Sequence, residues 1–232
     1  MITVDTPVLG NRLNERKTPL VLPSHLHLAN YKGSEKTKTD THKPSQERQL
    51  LDAPTAAEAN RVAEEAGGAI HSRALTWAHT ISWLRKVTSM KIILKGVMTE
   101  EDAELAAEHG VDAIVVSNHG GRQLDSAPST LEALPSIASA VKGKIPILFD
   151  GGVRHGSDVF KALALGADLV LVGRPVLWGM SYGGQDGVEL VANILERELA
   201  RTMALSGAPN IQSINIDYLG LRKRDGFGIA RL

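Results

Sequence analysis

In Ser117-Asn118-His119-Gly120-Gly121-Arg122 a histidine and an arginine stand three positions apart, with two glycines between them. An imidazole takes up a proton near neutral pH. A guanidinium offers a planar fork that holds a carboxylate through two hydrogen bonds. The glycines let the backbone come close to a ligand. Together these residue types suit proton transfer beside an anion, the plainer alternative being a polar loop that only turns the chain. Two further glycine-arginine groups follow, Asp150-Gly151-Gly152-Val153-Arg154 and Gly173-Arg174-Pro175. Small residues there would expose backbone N–H groups to an anion, and each arginine adds positive charge.

The elements that must position these groups repeat one unit downstream of residue 90: apolar strand, turn, amphipathic helix. Lys91 to Val97 leads to a helix over Glu100 to His109 with Thr99 as N-cap. Ala113-Ile114-Val115-Val116 reads as a fully buried strand ahead of a helix that starts near Ser129 or Thr130. Pro146 to Asp150 precedes a helix across Ser157 to Leu165. Leu169 to Val172 precedes a short Pro-containing turn, and a long final helix runs from about Gly187 to Ser206. Alternating strands and helices imply right-handed crossovers and a parallel sheet. The strands are continuous apolar runs, so both faces are buried. That fits an open doubly wound sheet or a (β/α)₈ barrel. Three glycine-rich strand ends favour the barrel, whose last two strands commonly carry a phosphate site. No Gly-x-Gly-x-x-Gly follows a strand, which weakens a nicotinamide dinucleotide reading.

Leu94-Lys95-Gly96-Val97, Ser117 to Asp125, Asp150 to Arg154 and Gly173-Arg174-Pro175 together resemble the FMN-dependent α-hydroxy acid oxidases and dehydrogenases. The opening Thr3-Val4-Asp5-Thr6-Pro7 with Leu9-Gly10-Asn11-Arg12 is similar to that family's fourth barrel strand and its loop. The resemblance covers nearly the whole chain except a middle stretch and the last dozen or so residues. It implies an FMN cofactor, a small L-2-hydroxy acid as substrate, its 2-oxo acid as product, and oxygen as the reoxidant giving hydrogen peroxide. It also implies roles. His119 resembles the base that removes a proton from the substrate, and Asp5 the carboxylate that orients it. Arg122 and Arg12 are similar to the pair that anchors the substrate carboxylate. Lys95 matches the lysine beside the flavin's pyrimidine ring, and Thr3 and Ser117 fit hydrogen-bond partners of the ring system. Asp150, Gly151, Gly152, Val153 and Arg154, with Gly173 and Arg174, would hold ribityl and phosphate. For Asp5 and Arg12 a capping or surface ion-pair role is the competing reading.

A barrel of this type takes about 250 residues, whereas this chain has 232 and shows about five strands. The expectation is an α/β chain of incomplete (β/α)₈ type that begins in mid-barrel, with about strands 4 to 8 present and the family's first three strands absent. One FMN hydroxy acid dehydrogenase domain is expected over 1–232, with a C-terminal tail from 215. Residues 33–54 are rich in Lys, Thr, Ser, Glu and Gln and poor in large apolar residues, so they are expected to form a mobile loop over the site. Ala56 to Ala66 reads as a short helix. Besides an oxidase, two readings stand open: a non-catalytic remnant, and another phosphate-binding barrel such as an FMN-dependent isomerase. The His-Gly-Gly-Arg loop speaks against the last, which has no need of a carboxylate clamp.

Outside these motifs the histidines read as bland. His25 and His27 lie in a Pro-rich loop, His109 sits at a helix end where a partly positive ring suits the dipole, and His155 is expected to face solvent. No His, Asp or Glu spacing suggests a metal site. The 26 basic and 26 acidic residues balance, which gives no electrostatic footprint for nucleic acid or an anionic membrane. The absence of cysteine excludes disulfides, and no apolar run approaches the roughly 20 residues of a membrane span. Ala230-Arg231-Leu232 resembles the small-basic-leucine peroxisomal address, so peroxisome is expected ahead of cytoplasm. Tetramers are common in the family, which makes a homo-oligomer the expected assembly.

Overall fold

The computed structural model describes residues 1–10, 49, 53–65, 74–141, 143–222 and 229–231. By contacts the chain divides into two units: Met1–Asp5 with Leu75–Leu232, and Thr6–Ala74. The second unit contributes one described helix longer than a turn, α1 (Ala56–Glu65), where the sequence pattern expects one. Arg61 sits between Glu58 and Glu65 there, one helical turn away on either side. Arg12 and nearly all of 33–54 lie outside the described residues.

The first unit is built on a five-stranded parallel sheet: β1 (Ile2–Thr3), β2 (Ile93–Val97), β3 (Ala113–Val116), β4 (Ile147–Phe149) and β5 (Leu169–Val170). The strands lie in the order β1-β2-β3-β4-β5. A doubly wound sheet reverses its order at a switch point; this one never reverses. The sequential parallel order is that of a barrel wall and decides between the two architectures left open by the sequence. All four residues of β3 are buried, because the strand has neighbours on both sides and helices on its face. Leu169 in the outermost strand β5 is exposed, which departs from the expectation of strands buried on both faces: an outermost strand lacks a neighbour on one side.

Helices α2 (Trp77–Val87), α3 (Glu100–Glu108), α4 (Thr130–Val141) and α5 (Gly156–Ala164) join or flank the strands. Thr99 caps α3 as its composition predicts, its hydroxyl accepting from the Asp102 N–H at 3.2 Å. Glu100, Glu101 and Asp102 crowd the positive end of that helix. His109 caps its other end and stacks on Trp77, with ring centroids 5.8 Å apart. Leu94, Ile114, Val116, Leu134, Ile137 and Phe149 meet in the main core between sheet and helices. Each such side chain contributes about 1.5–3 kcal/mol through burial.

The last helix corrects the sequence reading. A short Pro-containing turn was expected after β5, but helix α6 starts at Arg174 and runs to Ser206. Pro175 falls in its first turn, where a missing N–H costs nothing and the fixed φ suits a helix start. The helix breaks at Gly183 and Gly184, whose backbone angles are not helical. Its two limbs meet at Gly179 and Gly187, where neither residue leaves room for a Cβ. The longer limb packs Leu199 and Met203 against Phe160 of α5, with Tyr218 edge-on to the Phe160 ring. Beyond it, residues 215–222 hold a short 3₁₀ turn, Ile216–Tyr218, and a strand, β6 (Gly220–Arg222), paired antiparallel with β7 (Ile229–Arg231).

Candidate active site

Five of the motifs singled out in the sequence lie on or just beyond strands of the first unit. β1 runs into Val4-Asp5, β2 carries Lys95, β3 runs into Ser117 to Arg122, β4 into Asp150 to Arg154, and β5 leads to Gly173-Arg174. Parallel strands in sequential order bring those ends to one edge of the sheet, where charged loops can converge on a ligand.

His119 adopts a left-handed backbone, φ +60°, which is uncommon for a residue with a side chain. The Ser117 hydroxyl accepts its N–H at 3.1 Å and helps to hold the turn. The turn aims the imidazole at Asp5, 114 residues away in sequence, with Nδ1 3.1 Å from Oδ1. Both side chains are mostly buried, at 28% and 13% exposed. A carboxylate only accepts, so this contact is satisfied by N–H on Nδ1 and leaves Nε2 with a lone pair for a proton.

Beside this pair, Lys95 Nζ donates to Ser117 Oγ at 2.8 Å and lies 3.2 Å from Asp150 Oδ2. Ser117 is fully buried. Thr3 pairs with Lys95 in the sheet register, which puts it next to the same cluster. The structure therefore brings Thr3, Asp5, Lys95, Ser117, His119 and Asp150 together. Arg122 lies at the end of the His119 loop with an exposed side chain. Arg12 is outside the described residues.

The phosphate-type loops sit next door. Gly151 has φ +101° and packs against the Thr130 hydroxyl, which would lie 2.6 Å from a Cβ. At Gly152 and Gly173 a Cβ would meet nothing within 4 Å, so both backbones front open space. Val153 turns its side chain into the main core, so only its backbone can face a ligand. Arg154 stacks its guanidinium over Trp178 of α6, 5.4 Å from the ring centroid. Arg174 donates to the Gly120 carbonyl at 3.1 Å and so joins the β5 loop to the His119 loop. His155 follows at the start of α5, largely exposed, 3.5 Å from Glu198.

Two carboxylate oxygens in the site, Asp5 Oδ2 and Asp150 Oδ1, are buried without a hydrogen-bond partner among the described residues. Buried acceptors without donors are costly. A polyhydroxylated ligand tail alongside the open glycines would supply donors to Asp150. The residues present thus fit a ribityl phosphate chemically: a hungry acceptor, glycines that leave space, and two arginines.

The model of the FMN-dependent dehydrogenase family matches residues 1–221. The chain belongs to that family. An L-lactate oxidase from Nostoc sp. is 44% identical over 95% of this chain and 56% of its own length. The Arabidopsis thaliana peroxisomal (S)-2-hydroxyacid oxidase GLO4 is 43% identical, over 94% of this chain and 55% of its own. A crystal structure of mandelate oxidase with (S)-4-hydroxymandelic acid superposes with a TM-score of 0.72 at 38% identity, covering 91% of this chain and 55% of that one. The chain spans about half the length of the curated relatives it matches. The cofactor of the family is FMN, and the fold of the first unit is part of the α/β barrel of these relatives.

Two residues of the site went unread as functional in the sequence. Gln123 donates its amide N–H to the Asp5 main-chain carbonyl at 3.0 Å, 118 positions away, a link no local pattern reveals. Gly96 was visible as a glycine inside an apolar strand, which signals a bulge or a close backbone approach.

Proposed function

We propose that this chain carries the flavin and proton-transfer machinery of an FMN-dependent oxidase of small L-2-hydroxy acids. The observation that carries the reading is the buried His119–Asp5 pair adjoining the Lys95–Asp150 pair at one set of strand ends. His119 acts as base through Nε2, while Asp5 fixes its tautomer and balances the charge that develops on the ring. Arg122 holds the substrate carboxylate in a bidentate grip and so aligns the carbon that loses its proton with the base, and the family resemblance gives Arg12 the same kind of role. Lys95 would supply positive charge to the reduced cofactor's ring, and Ser117 and Thr3 would offer it hydrogen bonds. Asp150 to Arg154, Gly173 and Arg174 hold ribityl and phosphate.

When bound, FMN supplies the two-electron acceptor. The alcohol carbon loses two electrons and two protons to become the ketone of the 2-oxo acid. Oxygen takes up the two electrons and two protons as hydrogen peroxide. The names of the relatives support oxygen as acceptor and a hydroxy acid as substrate. A peroxisomal home is part of the same reading, supported by the plant relative's name.

The test is the visible spectrum of the purified 232-residue chain after incubation with FMN and gel filtration. A retained flavin band that bleaches when L-lactate or glycolate is added without oxygen is the expected result. A colourless protein overturns the reading for this chain.

A further inference from the structure

We infer that Gly96 is a positioning residue, whose bulge in β2 seats Asp5 against His119; the inference rests on the base–carboxylate reading given above. Strands β2 and β3 pair Lys95 with Val115 and then Val97 with Val116, so Gly96 is one residue extra. Such a bulge bends the strand locally and re-aims what stands next to it. Gly96 has φ +109°, a conformation that residues with side chains rarely adopt. A Cβ built there would lie 2.6 Å from both Cβ and Cγ of Asp5 and 2.9 Å from its backbone nitrogen. The three nearest atoms all belong to Asp5, so the space that glycine leaves empty is filled first by that residue.

The flanking bonds keep the bulge from relaxing. The Lys95 carbonyl accepts from the Val4 N–H at 2.8 Å, and the Val97 carbonyl accepts from the Ser117 N–H at 3.4 Å. Gly96 therefore lies between the two strand ends that carry the carboxylate and the base. Asp5 is held on three sides: Gly96 against its Cβ and Cγ, Gln123 on its carbonyl, and His119 on Oδ1. A methyl group at residue 96 has to displace Asp5 by the better part of an ångström. The 3.1 Å contact to Nδ1 does not survive that displacement.

The predicted consequence is spectroscopic and needs no turnover. The chain labelled with ¹⁵N-histidine contains eight imidazoles, and loss of one signal set in His119→Gln identifies His119. Wild-type protein should show His119 with N–H on Nδ1. Asp5→Ala should lose that signature, and Gly96→Ala should lose it in the same way. If Gly96→Ala keeps the Nδ1–H signature while Asp5→Ala loses it, the inference is wrong and the base–carboxylate reading stands. If Asp5→Ala also keeps it, the pairing itself falls, and the inference with it.

A double-mutant cycle guards against a variant that folds poorly. Gly96→Ala should lower Tm by roughly 5 °C or more in the wild-type background. In an Asp5→Gly background, where Cβ and Cγ are gone, it should cost clearly less, the remainder coming from the positive φ and the Asp5 backbone nitrogen. Equal cost in both backgrounds would mean that Gly96 answers only to backbone and not to the Asp5 side chain, and would overturn the proposal.

Discussion

The two ends of the parallel sheet are built on opposite terms. At the ends where the strands begin, two connections repeat the same bonds. After α3, Gly110-Val111-Asp112 leads into β3, and after α5, Gly166-Ala167-Asp168 leads into β5. Val111 N donates to the Ala106 carbonyl at 3.1 Å, and Ala167 N to that of Ala162 at 3.0 Å. Asp112 N donates to the Ile92 carbonyl at 2.8 Å while its Oδ2 accepts the Ile92 N–H at 2.8 Å. Asp168 does the same with Ile147, again at 2.8 Å both ways. Each aspartate closes a ring with the strand before it, and its Oδ2 is paired. At the ends where the strands finish, His119 holds a left-handed backbone, and Asp5 and Asp150 each bury an oxygen without a partner among the described residues. One end spends its carboxylates on the fold; the other keeps them in reserve for a ligand. That division is the one barrel enzymes show between their two faces.

If the division is real, substitutions at the two ends should fail differently. The largest effect belongs to His119→Ala, which removes the base: anaerobic flavin bleaching by hydroxy acid should slow by roughly 10²–10⁴-fold. FMN should stay bound and the fold should persist, with Tm lowered only modestly by the loss of the partner of Asp5 Oδ1. Retained bleaching, or loss of the fold, would break the contrast. Arg122→Lys comes next. It swaps a planar fork for a point charge and should raise the hydroxy acid concentration for half-maximal bleaching by about 10-fold or more, with a smaller fall in the limiting rate as the alignment loosens. An unchanged concentration would remove Arg122 from the substrate grip. Asp168→Ala tests the opposite end. It leaves the Ile147 N–H without its acceptor and should lower Tm by about 2–4 °C while FMN affinity is unchanged.

What could be read in the sequence follows from how local each cause is. The apolar run Ala113 to Val116 needs only its own composition to declare a buried strand, and Thr99 followed by three acids announces the start of a helix. The glycine-rich strand ends were legible for the same reason. The long-range partners were not. Asp5 meets His119 and Gln123 across more than a hundred residues, and Arg174 reaches Gly120 across 54. Shared motifs suggested that His119 and Asp5 work together, but nothing in either segment alone gives the contact. The first limb of α6 was read as a short turn because of Pro175. Proline in a first turn is harmless, and Gly179 is there for close packing on Gly187.

The smallest predicted effect separates the two aspartates of the structural end. Asp112 carries two cations that complete its shell, Arg85 Nη2 at 2.7 Å from Oδ2 and Lys91 Nζ at 3.0 Å from Oδ1. Its carboxyl is held well below the ordinary value of 3.8, first by the Ile92 N–H, then by Arg85 and Lys91. Unfolding releases it to that ordinary value, so on acidification the unfolded chain binds the proton first. The stability that Asp112 adds is therefore complete above about pH 5 and drains away as the pH falls through the ordinary value toward the folded one. Solvent screening keeps the effect modest, because Lys91 is largely exposed and Arg85 is more than a third exposed. Asp112→Asn keeps an acceptor for the Ile92 N–H but abolishes the charge. The Tm gap between wild type and Asp112→Asn should be constant from about pH 7 to pH 5 and narrow progressively below about pH 4. A gap that persists undiminished below that would mean shape and hydrogen bonding, not charge, hold this end of the sheet. Bleaching by hydroxy acid at neutral pH should be the same in both proteins, because Asp112 stands at the strand ends that take no part in the reaction.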